Sequence, residues 1–136
     1  MNVKALMKRF LEEEGFKYEW GEECTCFRFQ GLNVNVLFYD NIEDLLSLAV
    51  SFDTELPRYV ALDLCNELNQ TNILKHYLID DDTLVVMFDE LKPEVEVSNE
   101  SVMNNLELLV RGAIACRNRM SELTSYLTHP AGMTVN

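Results

Sequence analysis

The chain has 136 residues, 48% of them hydrophobic and 25% charged, and a formal net charge of −12. This length fits one domain with a real apolar core, and the apolar content is too high for a disordered chain. Residues 12–100 hold 21 acidic and five basic residues, and because such a surface repels phosphate, we expect neither nucleic acid nor an anionic membrane as a partner.

The first part of the chain predicts a helix followed by an antiparallel meander. Apolar residues recur at i, i+3, i+4, i+7 and i+8 from Val3 to Leu11, which predicts an amphipathic helix that ends at Gly15. From Phe16 the apolar period changes to two, which is typical of strands. Four strands are predicted, at residues 17–20, 24–29, 33–39 and 46–52.

The second part predicts a helix, a hairpin and a long helix. Pro57 favours a helix start because its fixed φ suits the first turn, and this helix is expected to end near residue 70. Strands at 73–79 and 84–91, joined by an acidic turn at 80–82, predict a hairpin. Ser98 or Ser101 is expected to cap a final helix that reaches about residue 127. Gly112 inside this helix predicts close approach to another backbone, since glycine costs about 1 kcal/mol there relative to alanine.

These elements follow the order α-β-β-β-β-α-β-β-α, which predicts an α+β fold with helices packed on an antiparallel sheet. Residues 1–128 are expected to form a single domain, and residues 129–136 a flexible tail. The sequence contains neither a secretory signal pattern nor 18 consecutive apolar residues, so we expect a cytoplasmic protein.

The four cysteines are expected to be reduced thiols in that compartment. Cys24 and Cys26 are two residues apart, a spacing that puts both side chains on one face of a strand. Cys65 and Cys116 are scattered, and the spacing of the whole set does not match that of a zinc site. No metal site is therefore predicted.

Several segments together resemble the YbjN-like protein family. They are the run 62–69, then Lys75, the strand at 84–86, the junction at 15–18 and the strand and turn at 27–31. The pair Asn66-x-x-Asn69 is the most specific part of a resemblance that covers roughly residues 3–125. It implies a fold related to the small dimeric chaperones of bacterial type III secretion, which hold extended segments of effector proteins. It also implies a domain without catalytic residues that serves sensory or stress regulation.

Two groups of polar residues are candidates for partner binding, and the first, which comprises Asn66, Asn69 and Lys75, is either a partner-binding or a structural signature. Asn66 and Asn69 share one face of the predicted helix, where they either clamp a ligand or peptide backbone or brace the turn into the next strand. Arg111, Arg117 and Arg119 in the final helix either offset the helix dipole and the acidic sheet or pair with acids of a second subunit.

No catalytic or cofactor site is predicted. His76 has no serine or cysteine at a recognised triad spacing, and it is expected to be a surface or half-buried residue. The aspartates at 80–82 lack the glycine and glutamate of an EF-hand loop, so they are interpreted as a solvated turn. Neither a GxxxxGK[ST] nor a GxGxxG pattern occurs in the sequence.

We therefore expect a non-catalytic protein-binding module without a cofactor, a homodimer that acts on another bacterial protein as a chaperone or regulatory adaptor. Recognition is expected at an exposed strand edge, on the sheet face or in a helix groove. The acidic charge either keeps the protein soluble or recruits a basic partner. The alternative is a small-molecule sensor with a pocket between sheet and helices, lined by Trp20, Tyr59 and Tyr77. A structural subunit of a larger assembly is a third possibility.

Overall fold

The computed structural model describes residues 2–93 and 96–128 as three helices and one six-stranded sheet. The elements are α1 (Val3–Glu13), β1 (Tyr18–Glu19), β2 (Cys24–Phe29), β3 (Leu32–Leu37), β4 (Leu45–Asp53), α2 (Arg58–Thr71), β5 (Lys75–Ile79), β6 (Thr83–Leu91) and α3 (Asn99–Thr128). The predicted α+β class and element order are confirmed, with bounds shifted by one or two residues. The predicted tail at 129–136 lies outside the described residues.

The sheet is antiparallel throughout, with the strand order β1-β2-β3-β4-β6-β5. The two longest strands, β4 and β6, pair with each other along their whole length, from Leu45 opposite Leu91 to Asp53 opposite Thr83. Because β6 pairs with β4 as well as with β5, the hairpin of β5 and β6 belongs to the same sheet as the meander of β1 to β4. The short strands β1 and β5 form the two edges.

The main core lies on one face of the sheet, and all three helices pack there. Alternate residues of the strands, such as Val36, Leu48 and Val86, are buried in a single cluster with the apolar stripes of the helices. The stripe of α1 that the sequence predicted is wholly buried, and it comprises Val3, Leu6, Met7, Phe10 and Leu11. None of the helices in the described part of the chain is long and apolar enough to cross a membrane.

The opposite face of the sheet carries no helix among the described residues, and we call it the open face. A second, smaller apolar cluster lies on it, formed by Ala49, Val85 and Met87 with Leu37 packed against them. The open face consists of the outward side chains of the six strands, namely Glu19, Cys24, Cys26, Arg28, Asn33, Asn35, Leu37, Leu45, Ser47, Ala49, Ser51, Asp53, Lys75, Tyr77, Ile79, Thr83, Val85, Met87, Asp89 and Leu91.

The helix ends follow the local chemistry of the sequence. Gly15 adopts φ 77° directly after α1, a conformation that costs glycine little. Of the two predicted caps of α3, the structure selects Ser98, whose Oγ accepts the N–H of Ser101 at 3.1 Å. Pro57 with φ −54° precedes α2 as its N-cap and is not its first helical residue.

Gly112 lies where α3 passes over the chain segment that leads into β5. A Cβ atom added at Gly112 would overlap with Cδ1 of Leu74, which is itself buried. The predicted approach to another backbone is therefore wrong, because the close neighbour is a leucine side chain. A glycine at this position leaves room for that side chain under the helix.

We expect Gly112→Ala to lower the free energy of unfolding by about 1 kcal/mol, because overpacking of about 1–3 kcal/mol outweighs the gain in helix propensity. In a Leu74→Ala background the same substitution should raise the free energy of unfolding, since the overlap is gone. Urea denaturation of the four proteins measures both effects. An equal effect of Gly112→Ala in the two backgrounds would show that Leu74 is not the constraint.

Candidate functional site

The open face exposes apolar side chains around its small buried cluster. Tyr77, Ile79 and Leu91 are 38%, 45% and 57% exposed. Tyr77 lies opposite the buried Val85, whereas Ile79 and Leu91 lie at the two ends of the pairing with β6. Because large apolar side chains grouped on one uncovered surface are typical of interaction sites, this face is the candidate functional site of the chain.

A polar pair lies within this apolar surface. Asp89 accepts a hydrogen bond from Ser47 Oγ at 2.6 Å and another from Lys75 Nζ at 2.8 Å. Ser47 is fully buried, and the side chain of Asp89 is only 19% exposed. The hydrogen bond and the charge of Asp89 raise the pKa of Lys75. Lys75, a predicted contact residue, is thus paired within its own chain.

The charge of the chain is concentrated at the two ends of the open face. One end carries Asp53, Glu55 and the turn at 80–82, where Arg58 pairs with Asp81. The other end carries Glu22, Glu23, Asp40, Glu43, Asp44 and Glu90, of which Glu22 pairs with Lys4 and Glu90 with Lys92. Between the two ends, the open face holds two bases, Arg28 and Lys75, and two acids, Glu19 and Asp89. Its centre is therefore close to neutral in a chain whose net charge is −12.

Asn69 ties the end of α2 to the edge strand β5. Its Nδ2 donates to the backbone carbonyl of His76 at 2.9 Å, and its Oδ1 accepts the backbone N–H of His76 at 2.7 Å. These two backbone groups are consequently not free to pair with an added strand. Asn66 lies exposed on the same helix. Whether either asparagine contacts a partner stays a prediction.

His76 is buried, so the prediction of a surface or half-buried residue is wrong. Only 3% of it is exposed, because it lies on the core side of β5 below α2. Its Nδ1–H donates to Asn69 Oδ1 at 2.9 Å, and within the described residues Nε2 has no hydrogen-bond partner. Burial lowers the pKa of His76. The imidazole is therefore neutral at physiological pH and serves as a core side chain.

The arginines of α3 do not form one cluster. Arg119 lies 3.8 Å from Glu67 of α2 and 3.5 Å from Glu122 of its own helix. Arg117 is over the ring of Phe52 at 6.0 Å, and Arg111 is exposed. Arg119 thus pairs with acids of its own subunit, and an interface role of the three arginines stays a prediction.

The three aromatic residues that were expected to line a pocket lie apart. Trp20 packs against Phe38 with ring centroids 5.4 Å apart, and Tyr59 is 68% exposed on α2. Tyr77 is on the open face. They do not line a common pocket between the sheet and the helices.

Two shallow cavities border strands of the sheet. One, of about 640 Å³, lies on the open face beside β1 and is lined by Lys17, Cys26, Arg28, Asn35 and Ser51 among others. The other, of about 520 Å³, lies between the end of β4 and the last turns of α3.

The sequences of β4 and β6 contain a signal for the open face. Each strand is apolar at six of its nine positions, and five consecutive residues are buried in each. Such runs are typical of strands that are covered on both faces. In this chain, only one of the two faces is covered by a helix within the described residues.

Comparison with known proteins gives the fold. No protein-family model matches the chain, and no curated protein matches it significantly. An uncharacterized protein from Methanothermobacter thermautotrophicus is similar in structure, with a TM-score of 0.66, 11% identity, and 88% of this chain and 96% of that chain covered. YbjN from E. coli, provisionally assigned as a transcription regulator, has a TM-score of 0.63, 13% identity, and 83% and 87% coverage. The chain therefore has a YbjN-like fold, as its sequence predicted.

We expect Asn69→Ala to lower the free energy of unfolding by about 1–3 kcal/mol, because it removes hydrogen bonds from both backbone groups of His76. Asn66→Ala is the matched control on the same exposed helix face, and its effect should stay within about 0.5 kcal/mol. Thermal and urea denaturation measure both. Equal effects of the two substitutions would contradict the bracing role of Asn69.

The burial of His76 predicts a loss of stability in mild acid. Its folded pKa lies below the ordinary value of 6.5, so between the two pKa values the unfolded chain binds a proton that the folded chain does not. The free energy of unfolding should therefore fall as the pH drops from about 7.5 to about 5.5. His76→Gln should reduce this slope, whereas His129→Gln should retain it. Denaturation at a series of pH values measures the slope, and an unchanged slope in His76→Gln would be inconsistent with a buried neutral imidazole.

Proposed function

We propose that the chain is a non-catalytic protein-binding module of the regulatory adaptor type, and that its open face binds a segment of another protein. The observation that carries this proposal is the group of exposed apolar side chains on a sheet face that no described helix covers. Complete burial of a fully exposed large apolar side chain contributes about 1.5–3 kcal/mol, and roughly half of this remains to be gained at side chains that are 38–57% exposed. A partner that covers Tyr77, Ile79 and Leu91 together thus gains a favourable apolar contribution to binding.

The face is favoured over the strand edges as the binding surface. At the β5 edge, Asn69 already bonds both backbone groups of His76. At the β1 edge, the strand has only two residues, Tyr18 and Glu19. Strand addition draws its affinity from a row of free backbone groups, and neither edge offers a long one. Recognition by side chains on the face therefore accounts better for binding.

The charges around the open face indicate the chemistry of the partner. Its centre is nearly neutral and apolar, whereas both ends are acidic. Electrostatic complementarity across an interface sets specificity and speeds association. The segment that fits this surface therefore has apolar residues at its centre and basic residues on both sides. This chemistry agrees with recruitment of a basic partner by the acidic charge of the chain.

A second copy of the chain is the other occupant to consider, and it corresponds to the homodimer predicted from the sequence. Because both ends of the open face are acidic, any two-fold arrangement of two open faces sets acid against acid, which costs several kcal/mol. A partner of opposite charge is thus favoured over self-association through this face. Light scattering of the chain at low and high ionic strength tests self-association through this face. Salt screens the repulsion between the acids, so a homodimer of this kind should become more stable as the salt concentration rises.

The regulatory part of the proposal draws on the fold. YbjN, which shares it, is provisionally assigned as a transcription regulator, and a regulator without a basic surface acts through other proteins more readily than on DNA. The cytoplasmic location is proposed on the four free thiols, which suit a reducing compartment.

A peptide panel tests the proposal. The probes are synthetic peptides with an alternating Val/Leu centre flanked by Lys and Arg, the same centre flanked by Glu, and a Ser/Asn centre flanked by Lys and Arg. We expect only the first to bind measurably by fluorescence anisotropy, with an affinity that falls as salt rises. Binding of the Ser/Asn peptide with equal affinity would mean that charge alone is responsible.

Ile79→Glu should weaken binding of the first peptide at least about tenfold, because it replaces an exposed apolar contact of the open face with a charge. Tyr59→Glu, an equally disruptive change at a more exposed position on α2, is the matched control and should bind like the unmodified protein. Circular dichroism confirms that both variants fold. The proposal fails if the two variants lose affinity equally.

A further inference from the structure

Two thiols converge on one oxygen atom of the open face. Cys24 and Cys26 are successive outward residues of β2, and neither is fully buried. Their sulfur atoms lie 3.8 Å and 2.8 Å from Oδ1 of Asn35, which is the register partner of Cys26 on β3. The two sulfur atoms are therefore neighbours, held side by side by a central strand of the meander.

A disulfide does not fit this arrangement, whereas a bridging ion does. Residues two apart in a strand have Cα atoms about 6.6 Å apart and nearly parallel Cα–Cβ bonds, but a disulfide needs Cβ atoms within about 4.5 Å. Two metal–sulfur bonds of about 2.3 Å, laid end to end, span about 4.6 Å. Thiols that lean toward a common oxygen atom can reach that separation without a change in the backbone.

The surroundings of the pair suit an anionic complex. Cys26 lines the cavity of about 640 Å³ together with two bases, Lys17 and Arg28, and one acid, Glu19, which is its register partner on β1. The guanidinium of Arg28 is fixed by Asn33 Oδ1 at 3.2 Å and by the carbonyl of Gly31 at 2.8 Å. These two cations lie on the side of the sheet to which the thiols point, and they can offset a negative charge there.

The number of ligands restricts the class of ion. Within residues 2–93 and 96–128, no group of three or more His, Cys, Asp or Glu side chains is placed to hold a metal, which excludes a tetrahedral zinc site in that part of the chain. Thiolates are soft ligands that suit Cu(I), zinc and iron–sulfur clusters, and of these zinc and the clusters require about four ligands. Cu(I), a d¹⁰ ion, accepts two ligands in a line.

We propose that Cys24 and Cys26 form a binding site for one Cu(I) ion. Two S–H bonds break, two Cu–S bonds form, and two protons pass to the solvent, without any transfer of electrons. The complex has a net charge of −1, which Lys17 and Arg28 offset. The amide of Asn35 can rotate so that its N–H groups, in place of its oxygen atom, face the thiolates.

The pair is not an activated nucleophile. Burial, followed by the neighbouring Cys26, raises the pKa of Cys24. A thiol of this kind stays protonated at neutral pH and reacts slowly with electrophiles. Because a metal ion displaces thiol protons directly, slow alkylation is compatible with metal binding at the same sulfur atoms.

Anaerobic titration with Cu(I) held by bicinchoninate tests the site. The folded protein should remove one equivalent of Cu(I) per chain, seen as loss of the colour of the chelate. Cys24→Ser and Cys26→Ser should each reduce the affinity at least about a hundredfold, since one thiolate of two is lost. Cys65→Ala, which removes a buried thiol on α2, is the matched control and should bind like the unmodified protein.

Thermal denaturation with added Ag(I), a redox-inert ion of similar softness, provides a second readout that does not depend on the chelate. The melting temperature should rise for the unmodified protein and for Cys65→Ala, and it should stay constant for Cys24→Ser.

Retained binding in the Cys24→Ser, Cys26→Ser double variant would overturn the assignment. So would failure to compete with bicinchoninate, or a stoichiometry of one ion per two chains. Ile79→Glu should bind Cu(I) normally, which separates this site from the proposed peptide-binding surface.

Discussion

The pairing of β4 with β6 is the interaction on which the rest of the structure depends. These two strands are apolar on both faces, and they are bonded over nine residue pairs. One face is covered by α1, α2 and α3, which together form a single core. The other face retains a small apolar cluster with larger apolar side chains around it. The same sequence feature that stabilises the sheet therefore also produces the surface that we propose for binding.

Neither edge of the sheet offers a long row of free backbone groups, so the open face is the surface of the sheet that is available for binding. Asn69 bonds the backbone of His76 on the edge strand β5, and β1 is too short to template a further strand. Edge strands are commonly protected in this way against unspecific pairing. The charges have a related effect, because acids at both ends of the open face disfavour contact between identical copies. We propose that the fold in this way limits self-association through the open face while it leaves an apolar surface exposed.

Much of the fold could be predicted from the sequence, because the local patterns are strong. The spacing from Val3 to Leu11 defined α1, and alternation in β2 separated Cys24 and Cys26 from Phe27. The burial of His76 could not be predicted, since it depends on α2 packing over an edge strand. The neighbour of Gly112 is a tertiary contact with Leu74, which a helical pattern cannot show. The sheet face was one of three surfaces expected for recognition, but its residues could not be named, because the strand pattern does not tell which face the helices will cover.

The central claim is that the open face lacks a cover in the isolated chain. Methyl relaxation in the presence of a soluble paramagnetic agent tests this most directly, at a concentration where light scattering shows a monomer. We expect the paramagnetic agent to relax the methyl groups of Ile79 and Leu91 strongly, and those of Leu46 and Leu48 in the core only weakly. Protection of Ile79 and Leu91 to the level of the core methyl groups would contradict it.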